Sequence, residues 1–139
     1  MDDISLSIGM ITYNHEDYIE QAIEGILQQR TNFPMELIIS NDASTDQTSA
    51  RIQKIINTNQ NPNITIRYVD QPDNIGMMKN FEFVLTESSG RYIAICEGDD
   101  YWTDPLKLQK QYDFMDEHAE CSFCFHKAKK YSEKENGFK

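Results

Sequence analysis

A three-layer α/β/α domain on a mostly parallel sheet is the fold class this sequence predicts, and three observations predict it. Short apolar runs suited to strands alternate with segments of helical periodicity, in the order β-α-β-α-β-α-β-α-β. The run Tyr92-Ile93-Ala94-Ile95-Cys96 is apolar throughout, as a strand buried on both faces of a parallel sheet should be. Three of the strands end in polar clusters: Thr12, Tyr13 and Asn14; Asp42 with Asp46; and Glu97, Asp99 and Asp100. In a parallel sheet these ends share one rim, the rim at which open α/β sheets bind ligands.

Ile4 to Thr12 is the first strand. Asn14 suits the N-cap of a helix from about Glu16 to Arg30, with Asp17 in its first turn and Ile19, Ala22, Ile23, Ile26 and Leu27 as its apolar stripe. Met35 to Ile39 is the second strand, and Ser44 with Gln47 has capping-box spacing for a helix carrying Ile52, Ile55 and Ile56. After an Asn-rich linker, Ile64 to Val69 alternates as the third strand. Met77 to Ser88 is a helix with Phe81, Val84 and Leu85 inward, and Ser89-Gly90 ends it before the apolar run at Tyr92. Asp104 as N-cap and Pro105 at the first helical position open a helix to about His118, with Leu106, Leu108, Tyr112 and Met115 as its stripe. Alternation predicts a last strand from Ser122 to about Lys129, followed by a polar tail from Tyr131 to Lys139.

A chain of 139 residues supports one core. Its net charge of -10 and pI of about 4.6 exclude the sequence-independent attraction to phosphates that makes a nucleic-acid binder, so no nucleic acid is expected as a partner. No apolar stretch approaches the ~20 residues that cross a bilayer, and Met1-Asp2-Asp3 lacks a basic leader start, so the expectation is a cytoplasmic protein. Cys96, Cys121 and Cys124 are then reduced thiols. The Cys121-x-x-Cys124 pair, flanked by His118 and His126, has zinc-like elements but sits in the alternating pattern of a strand. His15 and His118, each beside a helix, read as surface or packing residues.

Glu97, Asp99 and Asp100 crowd three carboxylates around Gly98. They repel one another unless a cation intervenes, and hard oxygen donors suit Mg²⁺ or Mn²⁺. A polar turn that merely closes a strand uses the same residue types.

Four segments carry a more specific signal by their order: Thr12-Tyr13-Asn14, Asp42-Ala43-Ser44-Thr45-Asp46, Asn74-Ile75-Gly76-Met77-Met78-Lys79-Asn80, and Glu97-Gly98-Asp99. Together they resemble the nucleotide-sugar half of the inverting family 2 glycosyltransferases, whose fold is the Rossmann-like GT-A fold. The resemblance covers nearly the whole chain. It departs from the family pattern at Glu97, where the first acid of the metal motif is usually Asp. It implies that Asp42 accepts a hydrogen bond from the nucleotide base, commonly uracil, and that Thr12, Tyr13 and Asn14 wall the base and ribose. It implies further that Lys79 contacts the diphosphate, that Glu97 holds a metal-bound water or the ribose with Gly98 beside the nucleotide, and that Asp99 is the direct Mn²⁺ or Mg²⁺ ligand. Tyr101 and Trp102 are candidates for the sugar pocket or for packing.

The reaction the resemblance implies is attack of a saccharide or lipid-linked acceptor hydroxyl on the anomeric carbon of a UDP-sugar, with inversion. The family's general base is an acid in a later segment, expected beyond Lys139. On that reading residues 1–139 are a single donor-binding domain, the N-terminal part of a longer enzyme. The location is cytoplasmic or peripheral at the inner membrane face, where such enzymes build bacterial surface polysaccharides. A non-catalytic nucleotide-sugar binding or scaffolding module is the alternative. A sheet missing its later elements would leave an apolar edge, so self-association through that edge is also expected.

Overall fold

The computed structural model describes residues 3–125, 127–129, 131–132 and 137–138. Its main sheet has four strands, β1 (Leu6–Thr12), β2 (Met35–Asn41), β3 (Ile64–Asp70) and β4 (Tyr92–Ile95). Between them run α1 (Ile19–Leu27), α2 (Thr48–Ile56) and α3 (Met77–Glu87), and α4 (Lys107–Glu117) follows β4. All pairs within this sheet are parallel, in the order β3-β2-β1-β4. The chain winds outward from β1 to β3 and then returns to the other side of β1, so the order reverses between β1 and β4. A crevice opens at such a switch point because the flanking connections leave in opposite directions.

The two faces of the sheet are unequally covered. Leu6, Ile8 and Met10 of β1 with Met35, Leu37 and Ile39 of β2 form one cluster with Ile19, Ile23 and Ile26 of α1, Ile52 of α2 and Leu108 of α4. The opposite face carries a smaller cluster, Ile11, Ile38 and Val84, with Phe81 and Phe83 packed on it from α3. Helix α3 packs on β1 and β2. The apolar run at 92–96 is therefore not buried on both faces: Ile93 is 43 % and Ile95 38 % exposed on β4, an edge strand of the sheet.

A buried polar network fixes the start of β4. Glu36 Oε2 accepts from Ser7 Oγ at 2.5 Å, from the Ser89 backbone N–H at 2.7 Å and from Ser89 Oγ at 2.6 Å, while the Gly90 N–H donates to Ser7 Oγ at 2.7 Å. Burial pushes the Glu36 carboxyl up, but these donors, first Ser7 and then Ser89, outweigh it and hold the group below its ordinary value. A carboxylate buried within β2 thus ties β1, β2 and the turn before β4 together.

Several local expectations change. The first helix begins at Ile19 with no side-chain cap, since Asn14 is used elsewhere. Helix α2 starts at Thr48 without the Ser44–Gln47 box, and its first turn is held instead by Asp46 Oδ1, which accepts from the Thr48 N–H at 2.9 Å. Helix α4 begins at Lys107, two residues past Pro105, although Asp104 Oδ1 does accept from the Leu106 N–H at 2.9 Å. The strand expected over Ser122 to Lys129 is absent among the described residues there: Phe123 and Phe125 are 74 % and 86 % exposed, so the alternation has no core to face. His126 lies outside the described residues. Within the polar tail, β5 (Tyr131–Ser132) pairs antiparallel with β6 (Gly137–Phe138).

Candidate functional site

The first two polar segments are bound to each other. Asn14 has a φ of 52° and Ala43 a φ of 57°, left-handed positions that turn the chain sharply after β1 and β2. Asparagine tolerates that region better than most residues, and a small residue suits position 43 for the same reason. The Asn14 N–H donates to Ser44 Oγ at 2.9 Å, and Asn14 Oδ1 accepts from the Thr45 N–H at 2.8 Å. The Glu16 N–H donates to Asp46 Oδ2 at 3.3 Å, and the Gln47 N–H to Glu16 Oε2 at 2.9 Å. The side chains of Asn14 and Asp46 thereby build the rim.

Asp42 joins this rim to α3. It is 3 % exposed, and its carboxylate accepts from the Ile75 N–H at 2.7 Å (Oδ1) and the Gly76 N–H at 3.0 Å (Oδ2). Asn74 Nδ2 donates to the Asp42 carbonyl at 3.1 Å. Gly76 has a φ of 88°, a conformation that a side chain would strain, and it directs the chain into α3. One turn later the buried Asn80 accepts from Ser40 Oγ at 2.5 Å and donates to the Ser40 carbonyl at 3.0 Å. The Asn74-to-Asn80 segment is thus a clamp that pins α3 to the end of β2.

The acidic loop continues the sheet. The Cys96 N–H donates to Gly9 O at 3.1 Å and the Gly98 N–H to Ile11 O at 3.0 Å, which carries the β1–β4 pairing into the loop. Cys96 is buried, and burial pushes its thiol up to about 12. It is a protonated thiol directed at the carbonyls of Glu97 and Asp100, at 3.7 and 3.6 Å.

Glu97, Asp99 and Asp100 can bring one carboxylate oxygen each within 4.8 Å of one another. Burial first, and then repulsion from Asp99, raises the carboxyls of both Glu97 and Asp100 above their ordinary values. That repulsion is what a divalent cation would relieve, so these donors fit Mg²⁺ or Mn²⁺.

The three polar segments and the α3 clamp meet at a cavity of about 380 Å³ lined by Ile11, Thr12, Tyr13, His15, Asp42, Asn74, Gly76, Met77, Asn80 and Glu97. Of the expected site residues, Thr12, Tyr13, Asp42 and Glu97 line it. Gly98 is buried behind it, Asp99 is half-exposed, and Lys79 is exposed on the first turn of α3. Asn14 is not among the lining residues, and its side chain holds Thr45.

His15, Asn80 and Met77 are lining residues that sequence reasoning gave no role. Asn80 stood inside the quoted motif, and His15 stood three residues after Thr12, but neither spacing announces a cavity wall. His118 stacks on Phe114 with ring centroids 4.2 Å apart, as a packing residue. Trp102 packs against the main core and carries Lys107 Nζ 4.2 Å from its ring centroid, so it is absent from the cavity lining.

A larger groove of about 840 Å³ lies among the ends of α1 and α2 and the residues preceding β3. Two of its polar side chains are already used: Asn61 Nδ2 donates to the carbonyls of Leu27 and Gln29, and Asn63 Nδ2 to that of Thr31. It holds none of the four motif segments.

Gly98 sits where no side chain fits. A Cβ there would overlap the Thr12 hydroxyl and come within 2.8 Å of His15 Nδ1. Gly98→Ala is therefore expected to cost about 1 to 3 kcal/mol as overpacking, read as a lower urea midpoint with unchanged m-value. An unchanged midpoint would show that the loop can move away from Thr12.

Residues 7–138 match the family described as Glycosyl transferase family 2. The chain belongs to glycosyl transferase family 2. Among curated relatives, an uncharacterized protein of Mycobacterium tuberculosis is 48 % identical over 121 residues, which are 87 % of this chain and 34 % of that protein. The putative teichuronic acid biosynthesis glycosyltransferase TuaG of Bacillus subtilis is 33 % identical over 114 residues, 82 % of this chain and 42 % of TuaG. This family 2 chain thus spans between a third and a half of the length of these relatives.

Among solved structures, Staphylococcus aureus TarS 1-349 in complex with UDP superposes with a TM-score of 0.70 at 27 % identity, covering 84 % of this chain and 33 % of that one. TarS has also been solved with UDP-GlcNAc. The mannosyltransferase PcManGT of Pyrobaculum calidifontis, solved with GDP-Man and Mn²⁺, gives the same TM-score at 20 % identity, which speaks for the fold. The four-stranded parallel sheet flanked by helices is the GT-A fold of these enzymes.

Proposed function

We propose that this chain is the donor-binding domain of a metal-dependent glycosyltransferase, which moves a sugar from a nucleoside diphosphate, UDP foremost, to an acceptor hydroxyl with inversion. One observation carries the proposal: separate polar segments converge on a single cavity at the switch point between β1 and β4. Family membership and the TarS complexes support a nucleotide-sugar donor. The likeness to TuaG supports an acceptor in surface-polymer synthesis, saccharide or lipid-linked.

In this reading Thr12 and Tyr13 wall the base. Asp42 accepts from the base through the lone pairs that Ile75 and Gly76 leave free, since each carboxylate oxygen can accept twice. Lys79 reaches the diphosphate from α3. Glu97 and Gly98 shape the floor, Asp99 holds the divalent cation, and Asn14 acts through the rim it builds. A bound Mn²⁺ or Mg²⁺ would supply charge neutralisation for the departing diphosphate. No residue of this chain is assigned as the general base. We place that role in a segment beyond Lys139, with residues 1–139 as the N-terminal part of a longer enzyme.

No helix among the described residues is long and apolar enough to cross a membrane. A cytoplasmic position at the inner membrane face suits the proposed acceptor.

The test is calorimetric titration of UDP into the 139-residue chain with and without Mn²⁺. Metal should raise UDP affinity, UDP should raise Mn²⁺ affinity by the same factor, and Asp99→Asn should remove most of that coupling, about tenfold. Equal UDP affinity with and without Mn²⁺ would sink the metal assignment, and sugar transfer by this chain alone would place the base within it.

The exposed Ile93 and Ile95 of β4 support self-association as well. Light scattering should give a mass that rises with concentration, and Ile93→Lys should suppress the rise. A concentration-independent monomer would remove this edge as an interface.

A further inference from the structure

We propose that His15 is a positioning residue: it ties the Thr12 wall of the cavity to Asp99, so that the nucleotide and the metal are held in one arrangement. The proposal rests on the nucleotide and metal reading above and adds to it a residue that the four motifs leave out.

The geometry of His15 is fixed from three sides. Its backbone N–H donates to Thr48 Oγ1 at 2.9 Å, and that hydroxyl in turn donates to Asp46 Oδ1 at 2.5 Å, so the main chain is anchored to the start of α2. Its Nδ1 lies 2.9 Å from Thr12 Oγ1, and Thr12 is 2 % exposed. Its ring also lies against the backbone of Gly98, where an added Cβ would come within 2.8 Å of Nδ1. With the ring held this way, Nε2 points out of the wall and lies 3.9 Å from Asp99 Oδ2.

Asp99 is otherwise weakly held. Its side chain is 46 % exposed, whereas that of His15 is 22 % exposed. A half-exposed carboxylate samples several rotamers, and ordering it as a ligand costs side-chain entropy. The Thr12 hydroxyl can donate to Nδ1, which leaves the hydrogen of a neutral ring on Nε2, the atom facing Asp99. A ligand's outer partner of this kind sets which oxygen faces the cation. Because Thr12 also walls the cavity, a nucleotide that fixes Thr12 fixes the ring, and the ring biases Asp99. His15 is thus the side chain that links the β1 end of the site to the acidic loop.

The experiment measures UDP affinity with and without Mn²⁺ for the unmodified chain, His15→Ala and His15→Gln, together with thermal unfolding of each. In His15→Ala the gain from Mn²⁺ should shrink by about fivefold or more, a larger loss than that of metal-free UDP affinity. His15→Gln, whose terminal amide can donate toward Asp99, should recover part of the gain. Retention of the full Mn²⁺ gain in His15→Ala overturns the His15 assignment and leaves the metal reading standing. So does an equal loss of affinity with and without metal, because a merely structural residue would act that way. Absence of any Mn²⁺ gain in the unmodified chain overturns both.

Discussion

Asp42→Ala is expected to weaken UDP binding by about ten- to a hundred-fold, because a charged hydrogen bond lost from a buried site costs about 1.5 to 3 kcal/mol. The effect has two sources that can be separated. One is the lost acceptor for the base. The other is the loop, since Asp42 receives the Ile75 and Gly76 N–H groups and thereby sets how the chain turns into α3. Pyrophosphate with Mn²⁺ has no base, so its affinity for the variant should fall far less than that of UDP. Titration calorimetry with both ligands checks this. Unchanged UDP affinity would remove Asp42 from the site, and equal losses for the two ligands would make Asp42 a loop anchor rather than a base acceptor.

Glu36→Ala is expected to cost about 3 kcal/mol of stability, roughly a 10 °C fall in Tm for a chain of this size, since it strips the acceptor from Ser7 and Ser89 in a buried network. The same residue makes stability depend on pH. Its folded carboxyl lies below the ordinary value of 4.5 because the Ser7 and Ser89 donors outweigh the effect of burial. A depressed carboxyl contributes stability that is present above its unfolded value and is lost as pH falls through the folded one. Urea midpoints measured from neutral pH down through the ordinary glutamate range should therefore drop more steeply for the unmodified chain than for Glu36→Gln. Parallel curves would show that Glu36 is not the titrating group.

The alternation of β1, α1, β2, α2, β3, α3 and β4 was legible in the sequence because each element buries its own apolar stripe, and a stripe is a local pattern. The parallel sheet followed from the helix-length connections, and the rim from the polar residues that end each run. Element starts were less legible. Asn14 and Ser44 have the chemistry of helix caps, yet in the fold they bind each other's segments, and local propensity holds no term for a partner 30 residues away.

The predicted strand over 122–129 failed for a related reason. Alternation specifies a strand only where a core stands on one side of it, and Phe123 and Phe125 face none.

Burial on both faces of β4 was equally beyond the sequence. Its residues are apolar throughout, but its place at the edge of the order β3-β2-β1-β4 leaves Ile93 and Ile95 partly exposed.

By itself, then, the sequence determined the element order, the chemistry of the rim and, through four ordered motifs, the family. The tertiary structure alone decided what each polar side chain does. Asn14, Asp46 and Asn80 hold loops and a helix in place, Asp42 faces the cavity while clamping α3, and His15 bridges Thr12 and Asp99. The physical reason is that a hydrogen bond is set by distance and direction between groups far apart in the chain, whereas residue type sets only the capacity to form one.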